Sequence, residues 1–308
     1  MMYKTAVLTC GAVSALLGAA ACASAQNLNG TVSPSFYGAP LAVQTINTGF
    51  GANSAADSGT GSELDAAYGK ISGANLYLFL AGNVQNNGNH LNVFIAGGAA
   101  GQNTLNAPAG SALASMNGSV FSPGFNATFG FDVNDFSGTL YGEEDYLTGI
   151  PTGSYVGAIA STSTGIYAGT FSAGVTSLYV NNNNVSTMGA AGTALSGATS
   201  GANTTTGFEL VIPLSAIGYS GGNIEVLADI NGAGSPPNVY LSNQFLTGLA
   251  VGTGNVGGGG PYGPGGGVFN FANTPGEYFT VSSVPEPSSM VMLGLCGFTT
   301  LLAIRRRK

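Results

Sequence analysis

Tryptophan is missing from all 308 residues, histidine occurs once and cysteine three times. Basic residues are nearly as scarce, with six Lys and Arg against 13 Asp and Glu. Cys10 and Cys22 fall in an N-terminal apolar stretch and Cys296 in a C-terminal one. The chain between them has no cysteine, which excludes disulfides, thiol catalysis and cysteine-ligated zinc there. Lys70 is the only basic residue of that region, which holds 12 of the 13 acids and so carries a formal charge of −11. One lysine without any arginine cannot neutralise a phosphate backbone, so nucleic acid is excluded as a partner. His90 would be the sole base open to a serine triad, and no Gly-x-Ser-x-Gly elbow accompanies it.

Both ends carry targeting patterns. Lys4 supplies a positive n-region, Ala6 to Ala21 is apolar, and Ala23-Ser24-Ala25 makes an A-x-A cleavage site before Gln26. Residues 1–25 are therefore expected to be a signal peptide. Lipid modification at Cys22 is the competing reading, and Ala19 in place of the usual leucine at position −3 weighs against it. At the other end, Pro285-Glu286-Pro287 is a stiff extended segment, because each proline lacks a donor and pushes its predecessor out of the helical region. Ser288 to Ile304 then runs 17 residues without a charge. As a helix it would span roughly 25 Å, the low end for a bilayer crossing. Arg305, Arg306, Arg307 and Lys308 follow, and the positive-inside rule places them in the cytoplasm.

Taken together, that box, helix and basic cluster resemble the PEP-CTERM sorting tail of Gram-negative bacteria. The resemblance covers 282–308 and implies export, anchoring in the inner membrane, and cleavage near Pro285–Pro287 by an exosortase-type membrane protease. The released protein would then reach the cell surface or the extracellular matrix. A tail of this kind says where a protein goes and nothing of what its larger part does.

The part between, 26–281, reads as one all-β domain, an antiparallel sandwich or jelly roll. Asn75–Leu80 and Leu91–Ala96 are β-rich runs, and Gln85-Asn86-Asn87-Gly88-Asn89 between them predicts a hairpin. Further strands are expected at 127–133, 155–161, 165–170, 177–180, 208–212, 224–230 and 278–281. Spacing near ten residues with Gly, Asn and Pro between them fits the sandwich pattern. Helical periodicity is nearly absent; Leu214–Gly218 after Pro213 predicts at most one helical turn. Gly257–Gly267 reads as a surface loop, since no Lys-Ser/Thr follows to make it a phosphate cradle.

Asn29-Gly30-Thr31, Phe36-Tyr37-Gly38 and the late Phe208-Glu209-Leu210-Val211-Ile212-Pro213-Leu214 resemble the frame of DOMON-type and family-nine carbohydrate-binding sandwiches. Asn29 stands where those families usually open with Asp. The resemblance implies a sandwich and, more faintly, sugar binding.

Acidic groups are the remaining candidates. Asp132-Val133-Asn134-Asp135 at a strand end, and Glu143-Glu144-Asp145 in a Gly-flanked turn, offer the hard oxygens that calcium takes. Asp229-Ile230-Asn231-Gly232 is a weaker version. Asx-turns and a solvated loop explain the same residues without metal. His90, beside the Asn-rich loop, reads as a loop or surface histidine. No catalytic role is expected. The expected function is a non-catalytic envelope protein associated with exopolysaccharide through neutral carbohydrate, the competing reading being a self-associating surface protein without a ligand.

Mass spectrometry of the mature protein should find Gln26 at its N-terminus and a C-terminus near Glu286. Glu286→Ala should leave a chain that still ends at Lys308. A wild-type surface protein ending at Lys308 in a strain with a working exosortase would reduce the tail to an anchor.

Overall fold

The computed structural model describes residues 26–50, 61–98, 100–163, 165–170, 176–182, 191–196, 200–232, 241–257, 268–274 and 276–283. The large compact unit is Leu28–Ser283. The other unit, Met1–Asn27 with Val284–Lys308, falls outside the described residues apart from Gln26 and Asn27. The signal peptide, the sorting box and the basic cluster therefore all lie outside them. Among the described residues no helix is long and apolar enough to cross a membrane.

Two antiparallel sheets carry the fold. The first runs, in spatial order, β1 (Ala42–Val43), β2 (Glu63–Ser72), β3 (Asn75–Asn83), β11 (Gly207–Pro213), β10 (Ser177–Asn181), β9 (Ile166–Thr170) and β8 (Ser161–Ser163). The second runs β13 (Leu241–Phe245), β12 (Ile224–Asn231), β4 (Asn87–Ala96), β5 (Phe129–Phe136), β6 (Thr139–Tyr146) and β7 (Thr152–Ile159). A short β14 (Phe279–Val281) also pairs with β12. The mostly-β expectation is met, in a sandwich-like arrangement.

Period-two alternation decides what each strand buries. On β3, Leu76, Leu78 and Leu80 point into the shared core, and on β4, Leu91, Val93 and Ile95 do the same from the other sheet. The alternate residues of β3, Tyr77, Phe79 and Ala81, join an outer cluster with Tyr37, Ala66 and Tyr68. Outside the second sheet, Phe94 and Leu227 lie under a cap of Leu113, Met116, Phe121, Phe125, Phe269 and Phe271. Phe121 and Phe271 are stacked at 5.4 Å. β3 in the first sheet and β4 in the second are thus covered on both faces, which explains continuous apolar runs such as Leu76–Leu80.

The predicted hairpin at Gln85–Asn89 does not form. β3 and β4 belong to different sheets, and the Asn-rich segment is the arch between them. Asn182 holds that arch by accepting from Val84 N and donating to Val84 O, at 2.9 and 2.8 Å. Asn89 and the Gln85 N–H both donate to Ser62 Oγ. The hairpins are elsewhere: β2–β3 turns at Gly73-Ala74, and β5–β6 at Ser137-Gly138. Ser137 and Gly138 have φ of 54° and 78°, the left-handed pair that a two-residue turn between twisted strands requires. Leu214–Gly218 is a non-helical turn; among the described residues an α-helical turn forms at Pro34–Tyr37, with Pro34 in its first turn.

Glu209 ties the N-terminal segment to the first sheet. Fully buried, it accepts from Asn29 N (2.9 Å), Gly30 N (3.2 Å) and the Tyr37 hydroxyl (3.0 Å). Burial, and then Glu209 itself, push the Tyr37 hydroxyl well above the ordinary phenol range, so it stays a donor. Glu209→Ala should destabilise the domain by about 3 kcal/mol, and Tyr37→Phe by about 1 kcal/mol, as read from urea midpoints.

Candidate functional site

The outer face of the second sheet is where polar residues concentrate. Register across β12, β4, β5 and β6 sets them in rows. One row is Asn231, His90, Asn134 and Tyr141; the next is Asp229, Asn92, Asp132 and Glu143; the third is Leu227, Phe94, Gly130 and Asp145. The segment following Pro108 folds over this face and ends in a 3-10 turn, Ala112–Met116, capped by Ser111 Oγ accepting from Ala114 N. Gly130 makes room for it, since a Cβ there would meet Leu113 Cδ1 at 2.5 Å.

Between that segment and the sheet lies an open cleft of about 390 Å³. His90, Asp132, Asn134, Tyr141, Glu143 and Phe136 line the sheet side, and Gly110, Ser111 and Ala112 the other. Phe136 is 55% exposed. Asp132 receives His90 Nδ1 at 2.9 Å to Oδ2 and 3.1 Å to Oδ1. Burial opposes the charged imidazolium, but the Asp132 charge and hydrogen bond outweigh it and raise the His90 pKa. Glu143 Oε2 accepts the Ala112 N–H at 2.7 Å, fastening the covering segment to the sheet. Burial raises the Glu143 pKa, the Ala112 N–H opposes the shift, and the nearby Asp132 charge adds to it.

Two acids of this face are short of donors. Asp229 takes one bond, from Asn92 Nδ2 at 3.1 Å, and its Oδ2 has none. Burial pushes its pKa up to about 7. Asp145, equally buried, is also pushed up to about 7 by burial. Ser111 lies near enough to oppose that shift, yet neither Asp145 oxygen has a hydrogen bond of good geometry.

The six residues expected to suit calcium are divided by the pleat. Asp132, Asn134, Glu143 and Asp145 share the outer face. Asp135 points inward, bonded to Tyr167, Asn182 and the Gly138 N–H. Glu144 also points inward and accepts from the Tyr146 hydroxyl. Among the described residues no group of three His, Cys, Asp or Glu is gathered closely enough to hold a metal. Glu143–Asp145 is no solvated turn but the middle of buried β6, and His90 belongs to strand β4 rather than a loop. Sequence reasoning missed Ser111 and Ala112, whose local sign is the Ser cap of a short helical turn.

Residues 283–308 match the family model for the PEP-CTERM protein-sorting motif. The chain carries this motif, which supports an exported protein processed by an exosortase in the membrane. Comparison with curated proteins and with solved structures gave no match.

Asp229 and Asp145 hold protons in the folded state, between about pH 4 and 7, that the unfolded chain releases. Their contribution to stability is full below the unfolded carboxylate pKa and is lost as pH rises through about 7. Melting temperature should therefore fall from pH 5 to pH 8. Asp229→Asn should flatten the profile by up to one proton, about 1.4 kcal/mol per pH unit. An unchanged slope in that variant would remove Asp229 as a cause.

Proposed function

We propose that this is a non-catalytic cell-envelope protein, trimmed at its tail by an exosortase, that binds neutral carbohydrate of the exopolysaccharide in the outer-face cleft. The carrying observation is the composition of that cleft. Phe136 and Tyr141 offer ring faces to the apolar side of a sugar, and Asn134, Asp132, Glu143 and His90 offer hydrogen-bonding groups to its hydroxyls. The cleft contains no lysine or arginine, which favours an uncharged ligand over an anionic one. The resemblance of the Glu209 strand and the Asn29–Gly38 segment to carbohydrate-binding sandwiches agrees with this reading.

His90, Asp132 and Ser111 border the same cleft and are the residue types of a hydrolytic triad. Ser111 Oγ, however, is occupied as the cap of Ala112–Met116 and lies beside Asp145, so it is positioned for structure. A neutral-glycan array should return binding to the purified protein, weakened about tenfold by Tyr141→Ala. No glycan bound, or equal binding by Tyr141→Ala, would overturn the sugar reading. Ester hydrolysis abolished by Ser111→Ala would overturn the non-catalytic one.

A further inference from the structure

We infer that Asn87-Gly88, at the head of β4, is a site of spontaneous deamidation, which turns the Asn87 carboxamide into a carboxylate beside the cleft. The chemistry needs an asparagine, an unhindered amide nitrogen after it, and water. The Gly88 nitrogen, its proton lost to a base in solution, attacks Asn87 Cγ. The Cγ–Nδ2 bond breaks, ammonia leaves, and a five-membered succinimide remains. Water opens that ring at either carbonyl and leaves aspartate or β-linked isoaspartate, with no change of oxidation state.

Asn-Gly occurs at 29–30, 87–88, 117–118 and 231–232, and the fold separates these four steps. In three of them the nitrogen or the carboxamide is engaged. The Gly30 N–H donates to buried Glu209 at 3.2 Å. The Gly118 N–H donates to Leu105 O at 2.8 Å, and the Asn117 carboxamide grips Ala107 at both its N–H and its C=O. Asn231 is buried at the end of β12, with Nδ2 donating to Met116 Sδ at 3.2 Å.

Asn87-Gly88 differs on each count. Asn87 is exposed, so ammonia has an exit and water an entry. Asn87 pairs with Phe136 and the next pair is His90 with Asn134, so the register passes over Gly88 and Asn89 as a bulge. On the other side the β12 ladder stops at His90. Gly88 thus has no paired residue in either neighbouring strand. With no Cβ and a φ of 86°, it offers its nitrogen without steric hindrance. Asn87 Oδ1 accepts the Asn89 N–H at 3.2 Å, which holds the carboxamide over the following backbone and draws electron density from Cγ.

The product changes the surroundings of the cleft rather than the fold. A carboxylate at position 87 still accepts the Asn89 N–H, now as a charge-assisted bond. It adds a negative charge opposite Phe136, which lines the cleft. The β-linked form lengthens the backbone by one carbon where β4 begins. The inference does not rest on sugar binding, and its test contains no sugar.

The purified full chain is aged in mildly alkaline buffer, and the peptides carrying the four steps are followed by mass spectrometry. Labelling with an isoaspartate methyltransferase reads the β-linked product. Asn87 should convert about tenfold faster than Asn29, Asn117 and Asn231, since each of those must first open a hydrogen bond. In urea the four rates should converge. Asn87→Gln, whose longer side chain disfavours ring closure, should remove the early acidic species on ion exchange. Equal rates at the four steps of the folded chain overturn the site. So does an Asn87 that stays an amide while the urea-unfolded chain reacts, or an early acidic species that persists in Asn87→Gln.

Discussion

Backbone N–H donation to buried carboxylates is the interaction on which this domain depends. With neither a disulfide nor more than one lysine, it cannot fasten its loops by covalent links or ion-pair networks. Acids on the strands do that work. Glu209 holds Asn29 and Gly30, Glu143 holds Ala112, Glu277 holds Ser122 at 2.6 Å, and Asp135 holds Gly138 in the β5–β6 turn. A carboxylate that accepts backbone N–H groups gains charge-assisted bonds, stronger than neutral ones, without a buried countercharge. In each case a segment remote in sequence, or a tight turn, is fixed to a sheet whose position the apolar core already sets.

The same device leaves a remainder on one face. Asp145 has no hydrogen bond of good geometry and Asp229 has one, and both sit on the outer side of the second sheet with Asp132 and Glu143. Burial raises both to about 7 instead of being balanced by donors. Carboxyl groups held in that condition cost stability, and inward-facing Glu144 and Glu277 by Ser122, each with one oxygen unbonded, share it in part. Glu143, raised by burial, is the perturbed acid that lines the cleft itself. Among the described residues, no carboxyl oxygen of the first sheet's strands is left without a partner, and Glu209 is fully engaged.

What was legible in the sequence follows from how local each signal is. The strands at 129–136, 207–213 and 224–231 could be found because their apolar and polar residues alternate or run unbroken. The β3–β4 hairpin was misread because Asn and Gly mark a change of direction but not whether the chain returns in the same sheet. That choice is made by Leu76–Leu80 facing Leu91–Ile95 across the core, a contact no local pattern encodes. Glu143-Glu144-Asp145 looked like a turn since three acids rarely sit mid-strand. They do so here because β5 and β7 flank them and the Ser111–Met116 segment covers them. The residue types of the cleft were visible in Asp132, Asn134 and Glu143. Their grouping with His90 and apart from Asp135 needed the register.

Charge balance closes the argument about that face. Lys70, the domain's only basic residue besides His90, is spent on the first sheet, donating to Phe36 O at 3.1 Å and lying 4.4 Å above its ring. His90 is held by Asp132. No side-chain cation in 26–281 remains for Asp145, Glu143 or Asp229. Asp145 and Asp229 are balanced from solution instead, by a proton taken up below about pH 7. A sorting tail that supports export gives this chemistry its setting, because the solution that balances the face is then the one outside the cytoplasm.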